Sequence, residues 1–318
     1  MDQIEKKKLL IHIAQMYYNQ NMTQNQIAKE TGINRSSISR LLKKMRDEGL
    51  VKIIINYDVD DETIEQKLNN RFGLTDSIVV SLPANQSTEV KLAAIGQACA
   101  KLLDRAVKDN DVIGFSWGSS LASTVDALEP TFSRENIFCV PMVGGPSGKL
   151  DSQYHVNTIS YEAAQKFRGR SLMIDVPAIV EKPSMKRDIL GTQYFKEIAK
   201  MWDQITVAVF GVGSLGITGN STWQAFYGDS IIEQLKAACA VGDICSRFFN
   251  TEGKSVHIPL SDRTITIPLE KLKKTRYSIG VAESREKVPG IIGALKGGYM
   301  NVLVTTDETA KMILEETG

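Results

Sequence analysis

The sequence predicts an α/β protein of two parts: an N-terminal helix-turn-helix, winged-helix-like domain, then a doubly wound, mostly parallel α/β domain. Three observations carry this. Residues 23–50, TQNQIAKETGINRSSISRLLKKMRDEGL, hold the register of two closely crossing helices. Seven apolar, strand-like runs recur through the rest of the chain, with helical patterns between most of them. Charge is segregated: residues 1–57 hold ten Lys/Arg against five Asp/Glu, whereas the 318-residue chain as a whole carries only +1. A small basic end on a mildly acidic body is what a polyanion-binding head looks like.

In the head, Thr23 and Gln26 form a T-x-x-Q capping box that opens a helix, with Ile27 and Ala28 facing inward. Gly32 ends it, because a left-handed residue is least costly there. Asn34 caps a second helix whose Ile38, Leu41, Leu42 and Met45 recur at helical spacing and form a buried stripe. The opposite face carries Arg35, Ser36, Ser39, Arg40 and Lys43, with no acid before Asp47. A helix entering the major groove needs donors for base edges near its start and cations for phosphates along its length. A merely solvated face would alternate acid with base. Arg35, Ser36, Ser39 and Arg40 are therefore expected near the groove, with Lys43 and Lys44 on phosphate. Gly49 then ends the helix, and VKIIINY (51–57) reads as a short strand, a candidate wing.

A polar connection follows Tyr57, so the expected domains are 1–57 and 58–318. The strand-like runs are 77–82, 111–117, 136–144, 171–180, 204–213, 277–284 and 301–306. They contain few polar positions, as strands of a parallel sheet covered on both faces do. Helical patterns occupy 88–107 and 158–169, among others. Ligands of such folds lie beyond the carboxyl ends of the strands. Three post-strand loops stand out there: Gly118-Ser119-Ser120, Gly144-Gly145-Pro146 and GVGSLG (211–216).

Two of these loops invite enzymatic readings. Gly114, Ser116 and Gly118 satisfy G-x-S-x-G, the nucleophile elbow of α/β-hydrolases, which also needs a later acid and histidine. Only His155 and His257 follow Ser116, in segments that suggest a surface or cross-strand position, the latter in an alternating VHIPL strand. GVGSLG matches the dinucleotide fingerprint, but turn formers rather than a helix follow it, and no helix is evident until about Asp229. A third reading fits residues 114–120 with fewer requirements. Gly118 permits close approach, Ser119 and Ser120 supply hydroxyl and N–H groups, and the next helix points its positive end at the site, as an anion requires. An ordinary strand-to-helix turn capped by Ser119 is the plain alternative.

Composition narrows the remaining classes. Cys99, Cys139, Cys239 and Cys245 lie apart, without zinc-ligand spacing, so reduced thiols and no metal are expected. No signal-peptide pattern and no apolar run near membrane-spanning length appear, which suggests a cytoplasmic protein. No cofactor and no catalytic residue is expected.

The helix-turn-helix, the S-W-G-S-S loop, the G-G-P loop followed by NTIS (157–160), and VGDICSRFFNTEGK (241–254) together resemble the SorC family of bacterial sugar-responsive transcription regulators. The similarity spans nearly the whole chain, and the VGDICSRFF element with its Asp-Arg pair is its most specific part. The resemblance implies an effector domain built like sugar-phosphate isomerases and deaminases but used for sensing. It implies operator DNA and a phosphorylated sugar as partners, and a homotetramer as the assembly. Carried over by motif, Gly118, Ser119 and Ser120 would hold the phosphate, and Gly144 and Gly145 would line the cleft. Asp243 would accept from sugar hydroxyls, Asn157 would add a hydroxyl contact, and Lys296 would supply a cation. The function implied is regulation of a carbohydrate-utilisation operon. An isomerase- or deaminase-like enzyme with a DNA-binding head is the alternative, with Asp243 as its suggestive group.

Overall fold

In the computed structural model, structure is described for residues 3–19, 22–47, 50–51, 62–146, 151–215 and 226–318. The chain forms two compact units, Met1–Asp61 and Glu62–Gly318. The candidate wing at 51–57, Gly49 and the expected boundary near Asp58 lie largely or wholly outside the described residues.

The first unit contains α1 (Gln3–Ala14), a π-helical turn (Gln15–Asn19), α2 (Gln24–Thr31) and α3 (Arg35–Asp47). The capping box is present as expected: Thr23 Oγ1 accepts from the Gln26 N–H, and Gln26 Oε1 accepts from the Thr23 N–H. Gly32 closes α2 in the left-handed conformation, at φ 69°. Asn34 Oδ1 then accepts from the Ser37 N–H at 2.8 Å, which caps α3. The core packs Leu10, Ile13 and Met16 against Ile27, Ile38, Leu42 and Met45, with Ala28, Ile33 and Leu41 partly buried around it. One apolar stripe per helix buried in this way is the ordinary reason that a small helical unit holds its crossing angles.

The second unit is built on one seven-stranded parallel sheet. Its strands are β1 (Asp76–Val80), β2 (Val112–Phe115), β3 (Phe138–Pro141), β4 (Arg170–Ser171), β5 (Val207–Phe210), β9 (Tyr277–Val281) and β10 (Val302–Thr306), in the order β1-β10-β9-β5-β2-β3-β4. A small antiparallel sheet of β6 (Gly213–Ser214), β7 (Gly242–Ile244) and β8 (Arg247–Phe249) stands beside it. The central strands are buried on both sides. Ile113 and Phe115 of β2 and Val207 and Val209 of β5 pack on one face, with Leu121, Ile159 and Leu103, while Ala208 and Phe210 pack on the other with Trp202 and Ile291. Such two-sided burial explains why these runs read as nearly continuous apolar segments.

Two expectations need correction. The run 171–180 is not a full strand: only Arg170–Ser171 pairs with β3, and beyond it single bridges join Pro177 to Gly145 and Ile179 to Thr264. Asp175 and Pro177 interrupt the run, and proline cannot donate to a ladder. The VHIPL segment is not a strand either, because Pro259 opens a 3-10 turn, Pro259–Arg263.

The sheet turns direction between β2 and β5. From β2 the chain moves outward to β3 and β4, then returns on the other side of β2 through β5, β9 and β10. That reversal creates a crevice at the carboxyl ends of β2 and β5. The opposite ends of the same strands are clamped by one buried carboxylate. Asp111, 2 % exposed, takes Arg276 in a bidentate pair at 3.0 and 2.6 Å, the Thr206 hydroxyl at 2.8 Å and the Lys108 N–H at 2.7 Å. Burial pushes its pKa up, but Arg276 and these donors outweigh that and hold it below the usual carboxylate range.

Asp111→Asn leaves Arg276 without its partner and should destabilise the effector unit by about 3 kcal/mol, read by thermal or urea unfolding. Because the folded-state pKa is depressed, the stabilisation is present above the ordinary carboxylate pKa of about 3.9 and is lost as pH falls through the folded value. The variant should therefore show a shallower loss of stability in acid than the natural chain.

Candidate functional site

The polar face of α3 is available for DNA. Arg35, Ser36, Ser39, Arg40, Lys43 and Lys44 are all exposed, while Ile38, Leu42 and Met45 on the other side are buried. Arg40 Nε leans on the Ser36 carbonyl at 3.4 Å and the Ser36 hydroxyl donates to Asn34, so the start of the helix is locally ordered. Sequence reasoning passed over a neighbouring feature. An open groove of about 600 Å3 is lined by Tyr17, Tyr18, Thr23, Gln24, Asn25 and Arg35, joining the start of α2 to the start of α3. The signal was present in YYNQNMTQNQ, a run of aromatic and amide residues around a helix N-terminus. Such groups serve phosphate and sugar contacts that set the position of a reading helix.

In the second unit, the loop after β2 leads through Ser116, Trp117 and Gly118 into α6 (Ser119–Asp126). Gly118 adopts φ 115°, ψ 168°, a conformation that favours glycine, and it offers no side chain to cap the helix. Its own N–H is spent on the Tyr154 carbonyl at 3.2 Å. The first amides of α6, those of Ser119 and Ser120, have no intrahelical acceptor and sit at the positive end of the helix. Ser119 is half-buried and Ser120 buried. Gly118, Ser119 and Ser120 thus stand together at the crevice.

The loop after β5 brings Asp243 to the same place. Gly213 of β6 pairs with Asp243 of β7, so the carboxylate is fixed just beyond the end of β5. Asp243 is 4 % exposed, and its Oδ2 accepts from the Ser246 N–H at 2.9 Å. The hairpin turns through Cys245 (φ 51°) and Ser246 (φ 61°), two non-glycine residues with positive φ. Several bonds hold this costly turn: Tyr227 Oη donates to Ser246 Oγ, Thr266 Oγ1 donates to the Cys245 carbonyl, and the Cys245 thiol meets the Ser116 hydroxyl. Edge-to-face rings continue the connection, from Trp117 to Phe226 at 4.6 Å, Phe226 to Tyr227 at 4.8 Å and Tyr227 to Phe248 at 5.4 Å. The β2 loop and the Asp243 hairpin are therefore one packed structure.

The loop after β9 contributes Glu283 and Lys287, which sequence reasoning missed. Lys287 precedes α12 (Val288–Lys296). Burial lowers its pKa, while Glu283, Asp243 and Glu286 pull it upward. The cation stands at the start of a helix that opens at the crevice end of the sheet and is attracted by both buried carboxylates, Glu283 and Asp243. Lys296 closes that helix at the other end, where Asn301 bonds the start of β9 and where Glu252 feels its charge. Lys296 is exposed and is not brought to the crevice.

Three further sequence-predicted residues have other work. The Gly144 N–H donates to Ile265, and the Gly145 N–H to Val176, so neither amide remains for an anion. A Cβ on Gly144 would stand 2.6 Å from the Pro177 and Ala178 backbone, and one on Gly145 2.9 Å from His155 Nε2. These glycines permit backbone packing. Asn157 spends both ends of its amide on Ile174, donating to its carbonyl at 3.2 Å and accepting from its N–H at 2.9 Å. It staples a loop.

The hydrolase reading finds no partner for its serine. Ser116 is 2 % exposed and its hydroxyl donates to the Trp117 carbonyl. His155 caps α7 (Val156–Phe167), its Nδ1 accepting from the Asn157 N–H, and burial keeps its pKa low. His257 is exposed and pairs with Asp262. In the dinucleotide-like loop, Gly213 and Ser214 form β6 rather than a helix start. Gly216 and the turn formers after it lie outside the described residues.

A helix-turn-helix unit and, in the same chain, a doubly wound domain with an uncapped helix, a buried carboxylate and a cation at its switch point define a ligand-responsive DNA-binding regulator. Residues 59–315 match the Sugar-bind family of sugar-binding domains, and residues 13–56 match the MarR family. The chain is 44 % identical to the sorbitol operon regulator of Klebsiella pneumoniae, over 99 % of this chain and 100 % of that one. It is 30 % identical to the deoxyribonucleoside regulator of Bacillus subtilis strain 168, over 98 % of this chain and 99 % of that one. The crystal structure of the full-length Klebsiella pneumoniae sorbitol operon regulator superposes with a TM-score of 0.76 at 45 % identity, covering 98 % of this chain and 99 % of that one. The chain belongs to the SorC family of sugar-binding transcriptional regulators. These relatives are regulators, not enzymes. Among the described residues, no helix is long and apolar enough to cross a membrane, and no group of three metal-ligating side chains occurs.

Arg40→Ala should weaken operator binding in a gel shift and, if the guanidinium meets phosphate, reduce the log–log salt slope by about 1. Undiminished binding would place the reading face elsewhere. Lys287→Ala should lose most of the affinity for the sugar effector in calorimetry, whereas Lys296→Ala should bind as the natural chain does.

Proposed function

We propose that this regulator controls an operon for uptake or use of a sugar or sugar alcohol, and that a phosphorylated sugar sets its affinity for the operator. The observation that carries the proposal is the convergence at the crevice. The uncapped amides of Ser119 and Ser120 sit at the positive end of α6, Lys287 supplies a cation, and Asp243 supplies an acceptor for hydroxyls. An anionic head with a hydroxylated body is the chemistry that this set recognises. The 44 % identity to a regulator named for the sorbitol operon favours sorbitol or a related hexose derivative as the sugar.

In this reading, α3 contributes Arg35, Ser36, Ser39 and Arg40 near the groove, and Lys43 and Lys44 on phosphate. The head is residues 1–57 and the sensor 58–318, a reading supported by family matches over 13–56 and 59–315. The acting form is a homotetramer, a dimer of dimers, in the cytoplasm. Its paired heads meet half-sites about 34 Å apart, or a multiple of that. A ligand that favours one quaternary arrangement shifts the population and with it the operator affinity.

The test is a gel shift on the DNA upstream of the protein's own operon, with sorbitol 6-phosphate, fructose 6-phosphate, their unphosphorylated sugars and no ligand. One phosphorylated sugar should change the operator affinity at least tenfold, and its unphosphorylated form should not. Ser119→Asp, which places a negative charge at the proposed phosphate position, should bind DNA normally and fail to respond. A response to the unphosphorylated sugar alone would contradict the phosphate assignment.

A further inference from the structure

The described side chains leave six buried polar atoms without a hydrogen-bond partner, and only two of those belong to charged residues: Arg247 Nε and Glu283 Oε2. Arg247 pairs across its hairpin with Ile244, on the face of the small sheet opposite to Asp243. Glu283 stands at the carboxyl end of the sheet, the end at which the crevice opens. It follows β9 directly, one residue beyond Ala282, beside the strand that ends at the switch point. It is 4 % exposed.

A carboxylate so placed ordinarily has a cation or two N–H donors, because an unmatched buried charge is costly. Glu283 has neither. Lys91 is committed to Glu308 at 2.7 Å. Lys287 attracts both Glu283 and Asp243 but lies beyond ion-pair distance of Glu283. Burial accordingly pushes the Glu283 pKa up. The next residue, Ser284, has φ 118° and ψ 155°, a region otherwise left to glycine, and its N–H is tied to Thr309 Oγ1.

We propose that Glu283 is a specificity-determining contact of the effector site, its unpaired carboxylate oxygen accepting a hydrogen bond from a hydroxyl of a polyhydroxylated ligand. The inference rests on the phosphosugar reading above and extends it. The phosphate is gripped at Ser119, Ser120 and Lys287, and the sugar chain is read by two carboxylates, Asp243 and Glu283, that both attract that lysine. Carboxylates accept and do not donate when ionised, so the pair selects ligands rich in hydroxyl donors. They also repel a bare anion. A site built this way tells a phosphorylated polyol from inorganic phosphate, which a helix N-terminus and a lysine alone would not.

Calorimetric titration of the full-length chain with sorbitol 6-phosphate, fructose 6-phosphate and inorganic phosphate tests this. Glu283→Gln keeps the shape and removes the charge. It should weaken the better-bound sugar phosphate about tenfold or more while leaving inorganic phosphate as tight as before, or tighter. A glutamate that served only as a counter-charge for Lys287 would shift both ligands in the same direction. Glu283→Asp, which keeps the charge and shortens the reach, should likewise lose sugar phosphate selectively, and it answers the question if the glutamine variant fails to fold. An unchanged ratio of the two affinities in the folded variants overturns the role of Glu283 alone. If the natural chain binds none of the sugar phosphates, the phosphosugar reading fails and this inference with it.

Discussion

The bidentate pair between Asp111 and Arg276 is the constraint on which the effector domain depends. Asp111 precedes β2, Thr206 precedes β5 and Arg276 precedes β9, and the one carboxylate gathers all three. These are adjacent central strands, so fixing their starting ends fixes their register. The strands are four or five residues long, and a register set at one end is carried undiminished to the other. The loops at that other end carry Ser119, Gly213, Asp243 and Lys287. A buried ion pair is seldom a large net source of stability, but a missing partner is a large loss. Its role here is best read as specifying one alignment of the crevice.

Gly118 differs from Gly144 and Gly145 in what its conformation does for the neighbouring backbone. Gly118 has φ 115° and leaves the following amides open at a helix start. Gly144 and Gly145 have their amides satisfied by neighbouring segments, and a side chain on either would strike Pro177, Ala178 or His155. All three look alike in a sequence, because each follows a strand. Only the long-range pairing of 143–145 with 176–178 and 264–266 tells them apart.

Much of the fold was legible because its determinants are local. The capping box at Thr23 and Gln26, the left-handed Gly32 and the Asn34 cap are fixed by a few neighbouring residues, and so is the apolar stripe of α3. Six of the seven strand-like runs form strands, since two-sided burial writes itself as an apolar run. The seventh failed at Asp175 and Pro177. The site was less legible. Ser119 and Asp243 converge in space through the antiparallel pairing of Gly213 with Asp243, across thirty residues of chain, which no periodicity reveals. Lys287 and Lys296 bracket one nine-residue helix. A helix that follows a strand in a parallel sheet begins at the ligand end and finishes at the opposite one, so strand direction would have chosen Lys287. Glu283 carried no sequence signal, because the absence of a partner is a property of the packed structure.

An anion held by the uncapped first amides of α6, at the β2–β5 switch point, is the central claim. A crystal structure of the full-length chain grown with sorbitol 6-phosphate, or with whichever sugar phosphate proves tightest, measures this directly. It should show phosphate oxygens within about 3 Å of the Ser119 and Ser120 nitrogens, with Lys287 Nζ turned toward them. A phosphate bound elsewhere in the domain, with the Trp117–Leu121 corner closed by side chains, would contradict it.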